Sequence, residues 1–257
     1  MNTGSVNMVS YERSGKLELA DSYQFTDPGS YELGLEGATN RQPSSRLHSS
    51  FVMPDGKHLA VCNMGSDKVY ILEIDYVNRK LHLLPDLTIT TDAGEAPRKL
   101  AFSKDGRFAY MSSEQGNNMY VYSIGEDCSL TLLQMLSTLD PDRENRSGGY
   151  TSVSIMTEDG KYLYCGNRGQ NNVVGFAVGD DGLLSVIGYF DCYGDSPRGL
   201  SFGYNEEVVF CSNNASSTIT IVAYDKSTGK LGECLQTIEN VGGSANVVWG
   251  SLKDFGY

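Results

Sequence analysis

RKLAFSKDGRFAYMSSEQGNNMYVYSI, residues 98–124, reads as three short strands joined by two turns. Leu100-Ala101-Phe102 is a brief apolar strand, Asp105-Gly106 is a hairpin turn signal, and Phe108-Ala109-Tyr110-Met111 is the strand that returns. A polar turn then leads into Asn118–Tyr122, and Gly125-Glu126-Asp127 turns the chain again into a fourth strand around Leu130–Leu133. The same phrase recurs as HSSFVMPDGKHLAVCNMGSDKVYILEID from His48, SVSIMTEDGKYLYCGNRGQNNVVGFAV from Ser152 and RGLSFGYNEEVVFCSNNASSTITIVAY from Arg198. Aligned on the first turn, Gly56, Gly106, Gly160 and Glu206 are equivalent, with spacings of 50, 54 and 46 residues. No segment carries a helical period. Four strands per repeat at this spacing predict an all-β chain, a β-propeller of four-stranded antiparallel blades, with complete blades at about 46–92, 97–140, 149–192 and 197–240. A β-sandwich does not repeat at this period.

The ends read as parts of a further blade. Residues 4–26 carry strands of the third and fourth kind, and 244–249 a lone strand of the first kind. The expectation is a single domain over 1–257 whose ring is incomplete, closed by blades missing before Met1 or by another chain, because unpaired strand edges are a liability. The formal net charge of −12 argues against nucleic acid as a partner, since phosphate backbones are bound by clustered Lys and Arg. No apolar run is long enough to span a bilayer, so no membrane partner is expected, and the first residues lack the basic and apolar segments of a signal peptide. None of the six cysteines forms a CxxC pair, and Cys62, Cys165 and Cys211 fall inside apolar strand patterns, where a thiol behaves as a small hydrophobe. A cytoplasmic location is the simplest reading of that usage. His58 and His82 read as strand-surface residues, and Asp140–Gly149 as a solvated insertion before the third repeat.

Register predicts which side chains meet. The start of the first strand and the end of the second lie at one edge, because the two run antiparallel. Eight residues before the turn position stand His48, Arg98, Ser152 and Arg198; eight after it stand Met64, Glu114, Arg168 and Asn214. Three arginines, a carboxylate and a histidine in an otherwise acidic chain predict a pocket for a small anionic ligand, since guanidinium matches carboxylate and phosphate bidentately. Paired Arg and Glu that merely satisfy one another at a propeller centre are the competing reading. No nucleophile elbow, zinc-protease motif, P-loop, dinucleotide fingerprint or calcium loop occurs, and neither a metal nor an organic cofactor is called for.

Leu47-His48-Ser49, Ala96-Pro97-Arg98, Ser113-Glu114, Asn167-Arg168-Gly169 and Pro197-Arg198-Gly199, taken in order, resemble the lactonase-type seven-bladed propeller family. That family includes bacterial 6-phosphogluconolactonases and fungal carboxymuconate lactonising enzymes. The resemblance runs from Gly4 to about Trp249 and implies an active site at His48, Arg98, Glu114 and Arg168. It departs at Lys99 and Ser152, where relatives carry His and Glu, and the first blade or two of the family pattern are expected to be missing. It implies hydrolysis of a sugar-acid lactone, 6-phosphogluconolactone first; the chemistry of lactone opening then gives His48 or Glu114 as base and Arg98 and Arg168 at the oxyanion, and the register adds Arg198 and Asn214 as expected substrate-binding residues. A carboxymuconate cycloisomerase is the alternative in the same class; a non-catalytic propeller used as a protein-binding scaffold is the alternative outside it.

Overall fold

A computed structural model describes residues 4–146 and 148–247. The chain is all-β, and its sheets are antiparallel meanders of the propeller-blade kind. It divides between Met135 and Leu136 into two compact units. The first holds a two-stranded ribbon, β1 (Gly4–Tyr11) and β2 (Leu17–Phe25), then a blade of β3 (Leu47–Val52), β4 (His58–Asn63), β5 (Lys68–Asp75) and β6 (Lys80–Leu83), to which the short β7 (Ile89–Thr90) adds along β5. The next blade is β8 (Pro97–Phe102), β9 (Phe108–Ser113), β10 (Asn118–Ile124) and β11 (Leu130–Ser137), whose last strand runs across the division. The second unit holds a blade of β12 (Thr151–Met156), β13 (Tyr162–Asn167), β14 (Asn172–Val178) and β15 (Leu184–Asp191). A further blade follows, of β16 (Pro197–Phe202), β17 (Val208–Asn213), β18 (Thr218–Asp225) and β19 (Lys230–Ile238). Of the lone strand expected at 244–249, residues 244–247 carry no strand, and 248–249 lie outside the described residues.

The first hairpin of each blade closes alike. The N–H of Gly56, Gly106, Gly160 and Glu206 donates to the carbonyl of Met53, Ser103, Thr157 and Gly203 at 2.9–3.0 Å. The three glycines have φ of 69°, 74° and 76°; Glu206 adopts 52° in the same slot, the equivalence read from the repeat. The aspartate before each glycine accepts the N–H two residues on, from Lys57, Arg107 and Lys161.

The middle strands of the β3–β6 blade are apolar on both faces because that blade is packed from both sides. In the first unit Ala60, Cys62, Val69 and Ile71 join Leu100, Met111 and Tyr122 in one core, while Val61, Tyr70 and Leu72 turn to the other side to meet Val6 and Phe25. The alternation along β4 and β5 thus feeds two cores at once. In the second unit Tyr164, Val173, Leu200, Cys211 and Val222 form the equivalent layer. Burying each Val, Leu, Ile, Met or Phe of these cores stabilises by about 1.5–3 kcal/mol.

Blades are also stitched by polar groups. Buried Asp67, at φ 53° in the turn between β4 and β5, accepts from Ala96 N at 2.6 Å and Gly94 N at 3.0 Å, fixing how the chain enters β8. Asn171, at φ 55° in the same turn of its blade, accepts from Ser196 N at 2.9 Å ahead of β16. The 140–149 insertion is tied down rather than loose: Gln170 donates to the carbonyls of Asp140 and Arg143 and accepts from Asp140 N.

Candidate active site

Both sets of register-equivalent residues sit at one edge of their blade, and the ladder explains how. Each innermost strand breaks register one residue in. Leu47 pairs with Asn63 but Ser49 with Cys62, Pro97 with Ser113 but Lys99 with Ser112, and Pro197 with Asn213 but Gly199 with Ser212. The skipped residues are His48, Arg98 and Arg198; in β12 the break spans Ser152 and Val153. A bulge of this kind re-aims a side chain out of the pleat. The other set is anchored opposite it: the N–H groups of Met64, Glu114, Arg168 and Asn214 donate to the carbonyls of Arg46, Ala96, Tyr150 and Ser196 at 2.9–3.0 Å.

In the first unit the structure brings Arg98 and Glu114 together. Arg98 is 5% exposed and Glu114 3%. Arg98 Nε donates to Glu114 Oε2 at 2.7 Å. The other carboxylate oxygen, Oε1, accepts from Arg41 Nη2 at 2.6 Å. Glu114 therefore has each oxygen engaged by a guanidinium. Arg41 reaches it from the connection between β2 and β3, and that connection is held firmly. Gln42 is fully buried and donates to Met64 O and to Asp67 Oδ2, both at 2.8 Å. Thr39 Oγ1 donates to Gln115 Oε1 and accepts from Arg41 N. The side chain of Arg41 remains one-third exposed, 33%. His48 is exposed at the start of β3; the hydroxyl of Ser49, beside it, donates to Arg98 O at 2.5 Å and ties β3 to β8.

In the second unit Arg168 is half-buried, donates to Tyr150 O and Thr151 O at 3.2 Å, and lies 5.5 Å from the centroid of the Tyr150 ring. Arg198 is exposed. Asn214 donates to Gly243 O at 2.8 Å and Ser244 O at 3.4 Å, which makes it an anchor for the 243–246 segment.

Sequence reasoning missed Arg41. The repeat has no counterpart to the connection between β2 and β3, so there was no register to carry; the only signal was Arg41 and Arg46 in a polar stretch just before His48. His58, read as a strand-surface residue, is half-buried at the start of β4. Its Nδ1 lies 2.6 Å from Asp55 Oδ2, whereas the side chain of His82 is 53% exposed.

Residues 2–249 match the family model described as lactonase, 7-bladed beta-propeller. An uncharacterized Lactococcus lactis protein is 29% identical over 230 residues, which cover 89% of this chain and 63% of that protein. The chain thus spans less than two thirds of that relative's length. A Formosa agariphila protein named 6-phosphogluconolactonase is 26% identical over 246 residues, covering 94% of this chain and 67% of the relative. Among solved structures, the periplasmic gluconolactonase of Pseudomonas aeruginosa superposes with a TM-score of 0.83 at 27% identity, over 93% of this chain and 64% of that one.

Proposed function

Because this chain belongs to the lactonase, 7-bladed beta-propeller family, we propose that it hydrolyses a sugar-acid lactone, with 6-phosphogluconolactone as the substrate. The observation that carries the reading is the cluster at the bulged edge of the first unit, where Arg98 and Arg41 are fixed on Glu114 next to the start of β3. The name borne by the Formosa agariphila relative supports the choice of substrate.

The chemistry divides among these groups. Lactone opening needs a base for water, positive charge at the developing oxyanion and an acid for the leaving oxygen. Glu114, already accepting from two guanidinium groups, acts as the anion that holds them in position. His48 is then the base: its imidazole takes a proton as water oxygen bonds to the carbonyl carbon. Arg41 and Arg98 supply donors and charge for the oxyanion and for anionic groups of the substrate. The ring C–O bond breaks as the tetrahedral intermediate collapses, and the imidazolium returns its proton to the alkoxide. A cytoplasmic location forms part of the same proposal, supported by Cys62 and Cys211, which are buried as thiols inside apolar strands and suit a reducing compartment.

A second reading has its own observation. Full engagement of Glu114 is what a non-catalytic scaffold would show, with Arg and Glu satisfying one another. One assay separates the readings. Purified protein is mixed with 6-phosphogluconolactone, gluconolactone and a carboxymuconate, and ring opening or closure is followed against the spontaneous rate. The expected result is acceleration on the phosphorylated lactone, with His48→Ala lowering kcat by about 100-fold or more while the urea midpoint stays in place. Acceleration only on the carboxymuconate selects the cycloisomerase; no acceleration on any of them leaves the scaffold.

A further inference from the structure

We propose that Asp55, His58 and Cys128 form a binding site for a zinc-like divalent cation, at the opposite end of β4 from the candidate active site. His58 opens β4, and Asn63, beside Met64, closes it. The three side chains offer one carboxylate oxygen, one imidazole nitrogen and one thiol, and these ligand atoms all lie within 4.8 Å of one another. Asp55 Oδ2 is the hub, 2.6 Å from His58 Nδ1 and 3.4 Å from Cys128 Sγ. Tetrahedral zinc with such ligands needs donor–donor separations of about 3.3–3.6 Å. The cluster therefore has to change by a few tenths of an ångström at its Asp–Cys edge, and a rotation of the imidazole has to lengthen the Asp–His edge and bring the His–Cys edge, which is within 4.8 Å, into that range.

The repeat shows that the cluster is particular to this place. The aspartate itself is shared by three of the four first turns and does a backbone task there: Asp55 Oδ1 accepts from Lys57 N and His58 N. What the other blades lack is the pair aimed at Oδ2. Where this blade has His58, the next three have Phe108, Tyr162 and Val208. Cys128 sits in the turn between β10 and β11, where its N–H donates to Gly125 O; in the turn between β14 and β15, Gly182 makes the same bond to Gly179 O. Gly182 has φ 79° and Cys128 φ 64°, so a side chain has been placed in a left-handed slot that suits glycine. Two side chains that have no counterpart at Tyr162 and Gly182 of the β12–β15 blade, one of them in a conformationally costly slot, converge on a single oxygen.

The surroundings suit an ion. The N–H bonds to Oδ1 fix the carboxylate and leave Oδ2 for the metal, the arrangement by which outer partners orient a ligand. Tyr76 Oη donates to Gly56 O at 2.9 Å and holds the turn closed. Cys128 is buried in the apolar layer with Met53, Leu100 and Tyr122, while the side chains of Asp55 and His58 are 31% and 20% exposed, giving an entry path and a place for a water as fourth ligand. Nitrogen, sulfur and one oxygen favour zinc or cobalt over calcium or magnesium, which take oxygen alone. On binding, the thiol gives its proton to solvent and coordinates as thiolate. The ion would clamp the first turn of one blade to the last turn of the next.

Cobalt reads the site directly. Chelator-stripped, phosphine-reduced protein is titrated with Co²⁺ and the thiolate-to-cobalt charge-transfer band is followed in the near ultraviolet. The wild type and a Cys234→Ser control should show the band. Cys128→Gly, which restores the residue of the equivalent turn, should lose it, and His58→Phe should bind at least about tenfold more weakly. Zn²⁺ should displace the band and raise the melting temperature of the wild type while leaving Cys128→Gly unmoved. Melts without metal verify that the variants fold, and Cys128→Ser serves if the glycine variant does not. Absence of the band in the wild type, its survival without Cys128, or equal affinity in His58→Phe overturns the site.

Discussion

Glu114 is the residue on which the candidate active site turns, because it is nearly excluded from water and holds two cations. A buried ion pair adds little net stability over an apolar replacement, but breaking it by removing one partner is costly, since the remaining charge is left without compensation. Glu114→Gln should therefore destabilise the protein by about 3 kcal/mol in urea unfolding. Arg41→Ala, which removes a partly exposed guanidinium, should cost about 1 kcal/mol or less. The reverse order would mean that Arg41 carries the pairing. The sequence pointed to Arg98 and Glu114 because both occupy slots that recur in every blade. It could not point to Arg41, whose position depends on how a unique loop is folded by Gln42 and Thr39.

The blade is legible at the scale of its elements because its turns are chemically specific. Asp-Gly turns mark the first hairpins of three blades, and a left-handed residue recurs in each second turn: Asp67, Asn117, Asn171 and Ser217, at φ 53–55°. The bulges were not legible. A break in register depends on which backbone groups pair, and Pro97-Arg98-Lys99 looks like any strand start. Asp225 closes the last turn of its blade by accepting from Ser227 Oγ, Thr228 Oγ1 and Ser227 N. Those hydrogen bonds lower its pKa from 3.8 to about 2. The folded state thus holds this proton more weakly than the unfolded one. The resulting stabilisation is complete above the unfolded value and is lost as pH falls through the folded one. The stability difference between wild type and Asp225→Asn should be constant from pH 7 down to about pH 5 and should shrink between roughly pH 4 and pH 2. A gap that stays constant to pH 2 would show that the turn does not depend on the charge.

Across the whole molecule, 32 acidic against 20 basic side chains leave a net charge of −12 that the fold must hold together. Self-repulsion of this kind opposes compactness and is screened by salt over about 8–10 Å at physiological ionic strength. The melting temperature should rise between about 10 mM and 150 mM sodium chloride; a fall would show that favourable ion pairs such as Arg98–Glu114 outweigh the repulsion. The bulges carry a consequence for variation between blades. A side chain carried at a break in register can be exchanged without shifting the backbone pairs on either side of it. In this chain, the inner strands present His48, Arg98 and Arg198 from such positions, on blades that share one strand order. One such position per blade lets the chemistry presented at that edge differ from blade to blade while the pairing around it stays the same.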